Sequence, residues 1–120
     1  MAISPTQRSL KYLRDNGYVV AITEKWNPHA RIRQDLFGFI DLLAIRDGET
    51  LAIQTTSASA FAARKTKVQC HENLPMVLLA GWKVIVHGWR KNSKKQWVLR
   101  EEVVSESHLF ETDKNVDLVN

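Results

Sequence analysis

The chain of 120 residues is long enough for one compact domain and too short for two. No apolar run approaches the roughly 18 residues of a membrane span, and the first residues lack the pattern of a secretory signal. A single cysteine, Cys70, excludes an internal disulfide, so we expect a cytoplasmic protein with no membrane partner. The net charge of +4 and the pI near 9.4 favour a polyanionic partner.

The charge is unevenly distributed along the chain. Residues 1–104 contain 16 lysines and arginines against 9 aspartates and glutamates, which gives a net charge of +7. Residues 105–120 contain 1 against 4, which gives −3. We therefore predict a single basic domain over residues 1–104 and an acidic C-terminal tail over residues 105–120. The tail either extends from the domain or lies over its basic surface.

The first predicted element is a helix that begins after Ser4 and ends near residues 16–17. Serine is a good N-cap, and Gln7 three residues later completes a capping box. Leu10 and Leu13 give the helix an apolar stripe that would face the core.

Two extended segments follow the helix. Residues 18–26 are rich in β-branched and aromatic side chains and predict a strand. Residues 30–36 predict a loop or the entry to a strand. In an extended chain Arg31 and Arg33 would point the same way, which suits two phosphate contacts, although a solvated loop is the alternative. Asp35 is either a metal ligand or the salt-bridge partner of one of these arginines.

Residues 38–57 predict two antiparallel strands, because the Asp-Gly pair at residues 47–48 separates two apolar runs. Asp41 interrupts the first apolar run, and the second run ends in the polar residues 54–56. An ionised carboxylate in an apolar strand is costly unless it is paired or binds a metal. Asp41 is therefore either a core acid bonded to backbone amides or an arginine, or a metal ligand.

A second helix is predicted over residues 57–73. Arg64 and Lys67 form a basic stripe beside the end of the preceding strand, where they could contact nucleic acid. Lys65 falls on the apolar side of this helix, which is unusual for a lysine. One explanation is that Lys65 extends past its apolar neighbours into water.

The remaining segments predict a second hairpin. Residues 74–80 form an apolar approach to a strand over residues 82–89, and residues 96–104 form its partner strand. The turn between them is basic, and Lys91, Lys94 and Lys95 either contact nucleic-acid backbone or are simply solvated.

This order of elements, with the motif Gly38-Phe39-Ile40-Asp41 and a hydrophobic strand ending in Gln-Thr-Thr, resembles the PD-(D/E)xK nuclease superfamily. Its small members include Holliday junction resolvase-like and RecB-like nucleases. The resemblance covers about residues 4–90 and implies an α/β, restriction endonuclease-like core in the order α-β-β-β-α-β. Its mixed central sheet would be flanked by helices, and residues 96–104 would add a C-terminal edge strand.

The resemblance also implies a catalytic set. Asp41 corresponds to the metal-binding aspartate of the family, Gln54 to its second acid and Thr56 to its lysine. Gln54 and Thr56 depart from the family pattern, because the site loses one negative charge and the lysine's positive charge. In this superfamily the lysine can migrate to the following helix, so Lys65 is a candidate replacement.

The implied metal is Mg²⁺, or Mn²⁺ in its place. Such hard ions prefer oxygen ligands. The candidate ligands are the Asp41 carboxylate, the Gln54 amide oxygen, the backbone carbonyl of Thr55 and the Asp35 carboxylate.

Three functions follow from these patterns. The first is a metal-dependent endonuclease that hydrolyses phosphodiester bonds in DNA, with branched or structured DNA as the candidate substrate and a homodimer as the candidate assembly. The second is a catalytically inactive nuclease-fold module that binds nucleic acid. The third is a structural subunit unrelated to nucleic acid.

Overall fold

A computed structural model describes residues 3–105 of the chain, so residues 106–120 of the predicted acidic tail lie outside the described residues. The helices are α1 (Pro5–Asp15), α2 (Phe61–Gln69) and α3 (Leu74–Leu79). The strands are β1 (Val19–Ile22), β2 (Lys25–Asn27), β3 (Ile32–Gln34), β4 (Leu42–Arg46), β5 (Glu49–Ser57), β6 (Lys83–Lys91) and β7 (Trp97–Val104). Among the described residues, no helix is long and apolar enough to cross a membrane.

Five strands form one mixed sheet in the order β1-β4-β5-β6-β7. Strands β5 and β6 are parallel, and the other neighbouring pairs are antiparallel. Parallel neighbours require a crossover connection, which α2 and α3 provide here. Strands β2 and β3 form a separate antiparallel hairpin. A mixed α/β architecture with a central mixed sheet flanked by helices, as the sequence predicts, is therefore confirmed.

The sheet is covered on both faces. Helix α1 packs Leu13 in the same cluster as Ile53 of β5, and α2 packs Phe61 and Val68 in the cluster that contains Ala52. Alternate residues of β5 thus face opposite layers. Both faces of β5 are therefore buried, and six consecutive residues from Leu51 to Thr56 are buried although only the first three are apolar.

Local signals in the sequence correctly predict the start of α1 and the β4–β5 turn. The Ser4 hydroxyl accepts a hydrogen bond from the Gln7 backbone N–H at 3.1 Å. Asp47 and Gly48 both adopt positive φ angles, of 49° and 78°. Two consecutive positive φ angles are what a two-residue hairpin turn of type I′ requires.

Several predicted boundaries are wrong. The strand predicted over residues 18–26 is divided into β1 and β2, and β3 within residues 30–36 pairs with β2. The helix predicted over residues 57–73 is shorter, since a 3₁₀ turn at Ala58–Ala60 precedes α2. The apolar segment predicted as an approach to β6 forms α3, because a short apolar run does not distinguish a helix from extended chain.

Candidate metal centre

Asp41 lies immediately before β4 and is only 3% exposed. Its Oδ2 atom accepts hydrogen bonds from the Thr55 N–H at 2.8 Å, the Thr55 hydroxyl at 3.1 Å and Gln54 Nε2 at 2.6 Å. The β4–β5 pairing ends at the Leu42 and Ile53 pair, so β5 continues beyond its partner strand. The Asp41 carboxylate satisfies the Thr55 N–H at that point, as the core-acid interpretation expects.

The structure brings Asp41 and Gln54 into direct contact. Gln54 acts as a donor here, so it orients the carboxylate; it would have to turn its amide over to present an oxygen to a metal. The Thr55 carbonyl, proposed as a ligand from the sequence, accepts from Gln54 Nε2 at 3.4 Å instead. The Thr55 hydroxyl also bonds to that of Thr6 at 2.8 Å, which ties α1 to the site.

Two further carboxylates lie beside Asp41. Glu24 and Asp35 each offer an oxygen, and these atoms and an Asp41 oxygen all lie within 4.8 Å of one another. Glu24 comes into place because its neighbour Thr23 donates its N–H to the Asp41 carbonyl at 2.8 Å. Arg33 pairs with Glu24 at 3.1 Å, so the arginine partner considered for Asp35 belongs to Glu24.

Glu24 is the residue that sequence reasoning missed. It lies between β1 and β2, and the single strand predicted across this region gave no reason to separate it from neighbouring solvent-facing positions. The available signal was an acid in a segment otherwise free of negative charge.

The pKa of Asp41 is raised from 3.8 to about 8. Burial is the largest cause, and a hydrogen bond and charge repulsion from Asp35, with the charge of Glu24, act in the same direction. The hydrogen bond from the Thr55 backbone acts in the opposite direction. Around neutral pH this cluster therefore retains a proton that a divalent cation would displace.

These carboxylates open onto a cleft of about 350 Å³. Its polar lining consists of Thr6, Glu24, Arg33, Asp35, Asp41, Gln54, Thr55 and Arg64. The cleft thus combines three acids with two guanidinium groups, which is a suitable composition for a metal-bound phosphate.

Helix α2 contributes Arg64 to the cleft, whereas the sequence pointed to Lys65. The Lys65 ammonium donates to Glu102 of β7 at 2.6 Å, and Arg100 contacts the same carboxylate at 2.6 Å. Lys65 and Thr56 do not line the cleft. Lys65 lies on the apolar side of α2, which packs against β5, β6 and β7, and its ammonium is directed at β7. The Lys65 side chain therefore extends past its apolar neighbours, and its ammonium ends in an ion pair with Glu102.

The predicted nucleic-acid contacts fall into separate groups. Arg33 and Arg64 lie at the cleft, and Lys67 is exposed on α2. Arg31 has a φ of 55° in the β2–β3 turn, so the extended geometry that would align it with Arg33 is absent there. The remaining three are at the β6–β7 hairpin: Lys91, Lys94 and Lys95.

A second buried polar cluster lies beneath α1. Trp89 Nε1 donates to the Ser9 hydroxyl at 2.9 Å, so the Ser9 proton is directed at His87 Nδ1, also at 2.9 Å. His87 Nε2 then lies 3.0 Å from Glu101. Burial lowers the pKa of His87 although the Glu101 charge opposes this, so the ring is neutral. This serine, histidine and acid order resembles a hydrolase triad, but Ser9 and His87 are both 0% exposed and no substrate can reach them.

Comparisons with known proteins supply no family for this chain. No protein-family model matches it, and no curated protein matches it at a significant level of sequence similarity. The site must therefore be judged on its own residues and geometry.

Proposed function

We propose that this chain is a metal-dependent endonuclease that hydrolyses phosphodiester bonds in DNA, with branched or structured DNA as its candidate substrate. The observation that carries the proposal is the buried Asp41 carboxylate with Glu24 and Asp35 inside 4.8 Å, in a cleft that also contains Arg64. Apart from the β2–β3 hairpin, the elements follow one another along the chain as α1, three strands of the large sheet, two helices and two more strands of that sheet. This order supports a restriction endonuclease-like fold.

The three carboxylates would hold Mg²⁺ or Mn²⁺, since their charged oxygens are the ligands that these ions prefer. When bound, the ion would polarise a phosphoryl oxygen and lower the pKa of a water molecule. Gln54 and Thr55 keep the Asp41 carboxylate in one orientation through their hydrogen bonds to Oδ2. Arg33 compensates the charge of Glu24 and so limits repulsion within the cluster.

Arg64 takes the part that the resemblance assigns to a lysine. Its guanidinium lines the cleft and carries a permanent charge, so it can bind a phosphate and stabilise negative charge that develops on it. An arginine does not release its proton at neutral pH, so Arg64 is a charge donor and not a base. Asp41, Glu24 and Arg64 are therefore the residues on which the proposed activity depends, and Thr56 and Lys65 are not.

A nucleic-acid-binding module without activity is the second candidate. It is favoured by the three hydrogen bonds to Asp41, which explain a buried aspartate without a metal. Both candidates would bind nucleic acid through the same lysines and arginines, so a binding measurement alone does not distinguish them.

The test is cleavage of linear, circular and branched DNA in the presence of Mg²⁺ or Mn²⁺. We expect Asp41→Asn to lower the cleavage rate more than about a hundredfold, because it removes the most buried ligand charge. Asp47→Asn is the matched control, since Asp47 lies in the exposed β4–β5 turn and asparagine tolerates its positive φ. Salt-dependent binding without cleavage by the wild-type chain would favour the binding module.

The homodimer belongs to the same proposal, since two cleavage sites are needed to cut both strands of a duplex. Gel filtration of the full chain with and without branched DNA measures it. A monomer under both conditions would contradict the homodimer. A single chain would then cut one strand of a duplex each time it binds.

A further inference from the structure

A second groove, of about 320 Å³, adjoins the candidate metal centre. It is bounded by the first turns of α1, the turn after β5 and the end of the β6–β7 hairpin. Pro5 lines both this groove and the carboxylate cleft, so the two are separated only by the start of α1. The side chains that matter in the groove are Arg8, Ser57, Ser59, Arg90, Lys91 and Trp97.

The groove carries uncompensated positive charge. Arg8, Arg90 and Lys91 line it, whereas none of its lining residues is acidic. Within residues 3–105, none of these three cations forms a salt bridge. Ser57 and Ser59 add hydroxyl groups 3.1 Å apart on the facing wall. Three neighbouring cations repel one another unless an anion lies between them, so the groove suits a chain of phosphates.

Trp97 gives the groove an aromatic surface. It is 42% exposed and lies directly across the strand pair from Lys91, whose Nζ is 5.4 Å from the centre of the Trp97 ring. The Arg8 guanidinium carbon is 3.6 Å from the same ring centre. Arg8 Nε is buried and has no hydrogen-bond partner among the described residues, so stacking on the indole holds this side chain.

One lining residue of the groove is fixed from behind. Trp89 is 9% exposed, and its Nε1 donates a hydrogen bond to Ser9 of α1. A ligand therefore does not have to order this side chain, which lowers the entropic cost of binding.

We propose that this groove binds a single-stranded segment of the nucleic acid, with an unpaired base stacked on the part of the Trp97 ring that Arg8 leaves exposed and the backbone phosphates on Arg90 and Lys91. Stacking on an exposed tryptophan requires a base that is not paired within a duplex. The inference rests on the proposed function only in taking the ligand to be nucleic acid. It adds that the strand leaving the cleft across α1 is single-stranded, as at a branch or a frayed end.

The test is binding of a short fluorescein-labelled oligothymidylate to the full chain, measured by fluorescence anisotropy in EDTA so that no cleavage occurs. We expect Trp97→Ala to weaken this binding by about tenfold, because the substitution removes the ring on which the base stacks. Trp97→Phe retains a ring and should restore most of the affinity. Trp26→Ala is the matched control, because Trp26 on β2 is 57% exposed and lies outside the groove.

A second readout separates charge from stacking. Lys91→Ala should reduce the slope of log affinity against log salt concentration by about 0.7, the value for one phosphate contact on a single strand. Trp97→Ala should leave that slope unchanged. Thermal melting followed by circular dichroism checks that each variant is folded. If Trp97→Ala is not folded, Trp97→Leu carries the test, because it keeps an apolar side chain but has no ring on which a base could stack.

Three outcomes overturn the proposal. The first is oligothymidylate binding by folded Trp97→Ala, or by Trp97→Leu in its place, that equals binding by the wild type. The second is an equal loss of binding with Trp26→Ala, and the third is an equal weakening of duplex and single-strand binding by the Trp97 substitution. If single-strand binding depends on Trp97 but the wild-type chain never cleaves DNA, the groove stands and the nuclease proposal fails. If cleavage depends on Asp41 while Trp97 has no effect on binding, the reverse holds.

Discussion

The acidic cleft and the Ser9–His87–Glu101 chain both bury polar side chains against the same sheet, and they differ in access and in charge balance. In the hydrogen-bonded series Ser9–His87–Glu101 beneath α1, both nitrogens of the His87 ring have a partner and the ring is neutral. In the cleft, three carboxylates lie within 4.8 Å and open onto about 350 Å³ of accessible space. Asp41 and His87 are therefore both buried and hydrogen-bonded, but only Asp41 has two further carboxylates beside it.

This difference distinguishes a structural network from a candidate site. A buried polar network that is fully satisfied stabilises one packing arrangement and leaves nothing for a ligand to bind. In the cleft, burial and the neighbouring Asp35 and Glu24 raise the pKa of Asp41, and a cation would relieve the repulsion, so the cluster costs stability until a ligand is present. The two clusters should respond to mutation in opposite ways.

The largest effect on stability is expected from His87→Ala. The substitution leaves a cavity and removes the partner of Ser9, so we expect the free energy of unfolding to fall by about 3 kcal/mol. Urea denaturation measures it, and His29→Ala in the exposed β2–β3 turn serves as the control. DNA cleavage per folded molecule should not change. A loss of cleavage without a loss of folding would mean that this buried chain is part of the active machinery.

The titration of Asp41 has an effect that is smaller over one pH unit but accumulates as the pH rises. Its pKa is about 8 in the folded chain against an ordinary 3.8, so the folded state holds the proton more tightly. The stabilisation is complete below pH 3.8 and is lost as the pH rises towards 8. In EDTA, urea denaturation should show wild-type stability falling relative to Asp41→Asn by up to about 1.4 kcal/mol per pH unit. If the stability of the two proteins changed with pH in the same way, folding would not raise the pKa of Asp41.

The smallest effects concern two neighbouring cations on α2. Arg64→Ala should lower the cleavage rate at least about tenfold, because it removes a charge from the cleft. Lys65→Ala should leave cleavage unchanged and lower the free energy of unfolding only slightly, since the Lys65–Glu102 pair is screened by solvent. Single-turnover cleavage and urea denaturation of both variants measure these effects. The opposite pattern of cleavage would return the role to Lys65.

The positions at which sequence analysis failed share one property. Asp35 was named as a candidate ligand, whereas Glu24 was missed. The β2–β3 hairpin that brings Glu24 beside Asp41 was predicted as the end of one strand followed by a loop or strand entry. Lys65 was correctly placed on the apolar side of its helix, but the acid that pairs with it is 37 residues away on β7. Each error concerns a partner supplied by a distant segment, which local periodicity does not identify.

The sequence alone determined the features that depend on neighbouring residues. The Ser4 cap, the Asp47-Gly48 turn and the oddity of Asp41 in an apolar run follow from backbone preferences and from the cost of burying charge. Only the tertiary structure decided which side chains meet, as with Glu24 and Asp41 or with Ser9 and His87, separated by 78 positions. The physical reason is that the pairing of strands and the layering of helices fix these distances after the local elements have formed.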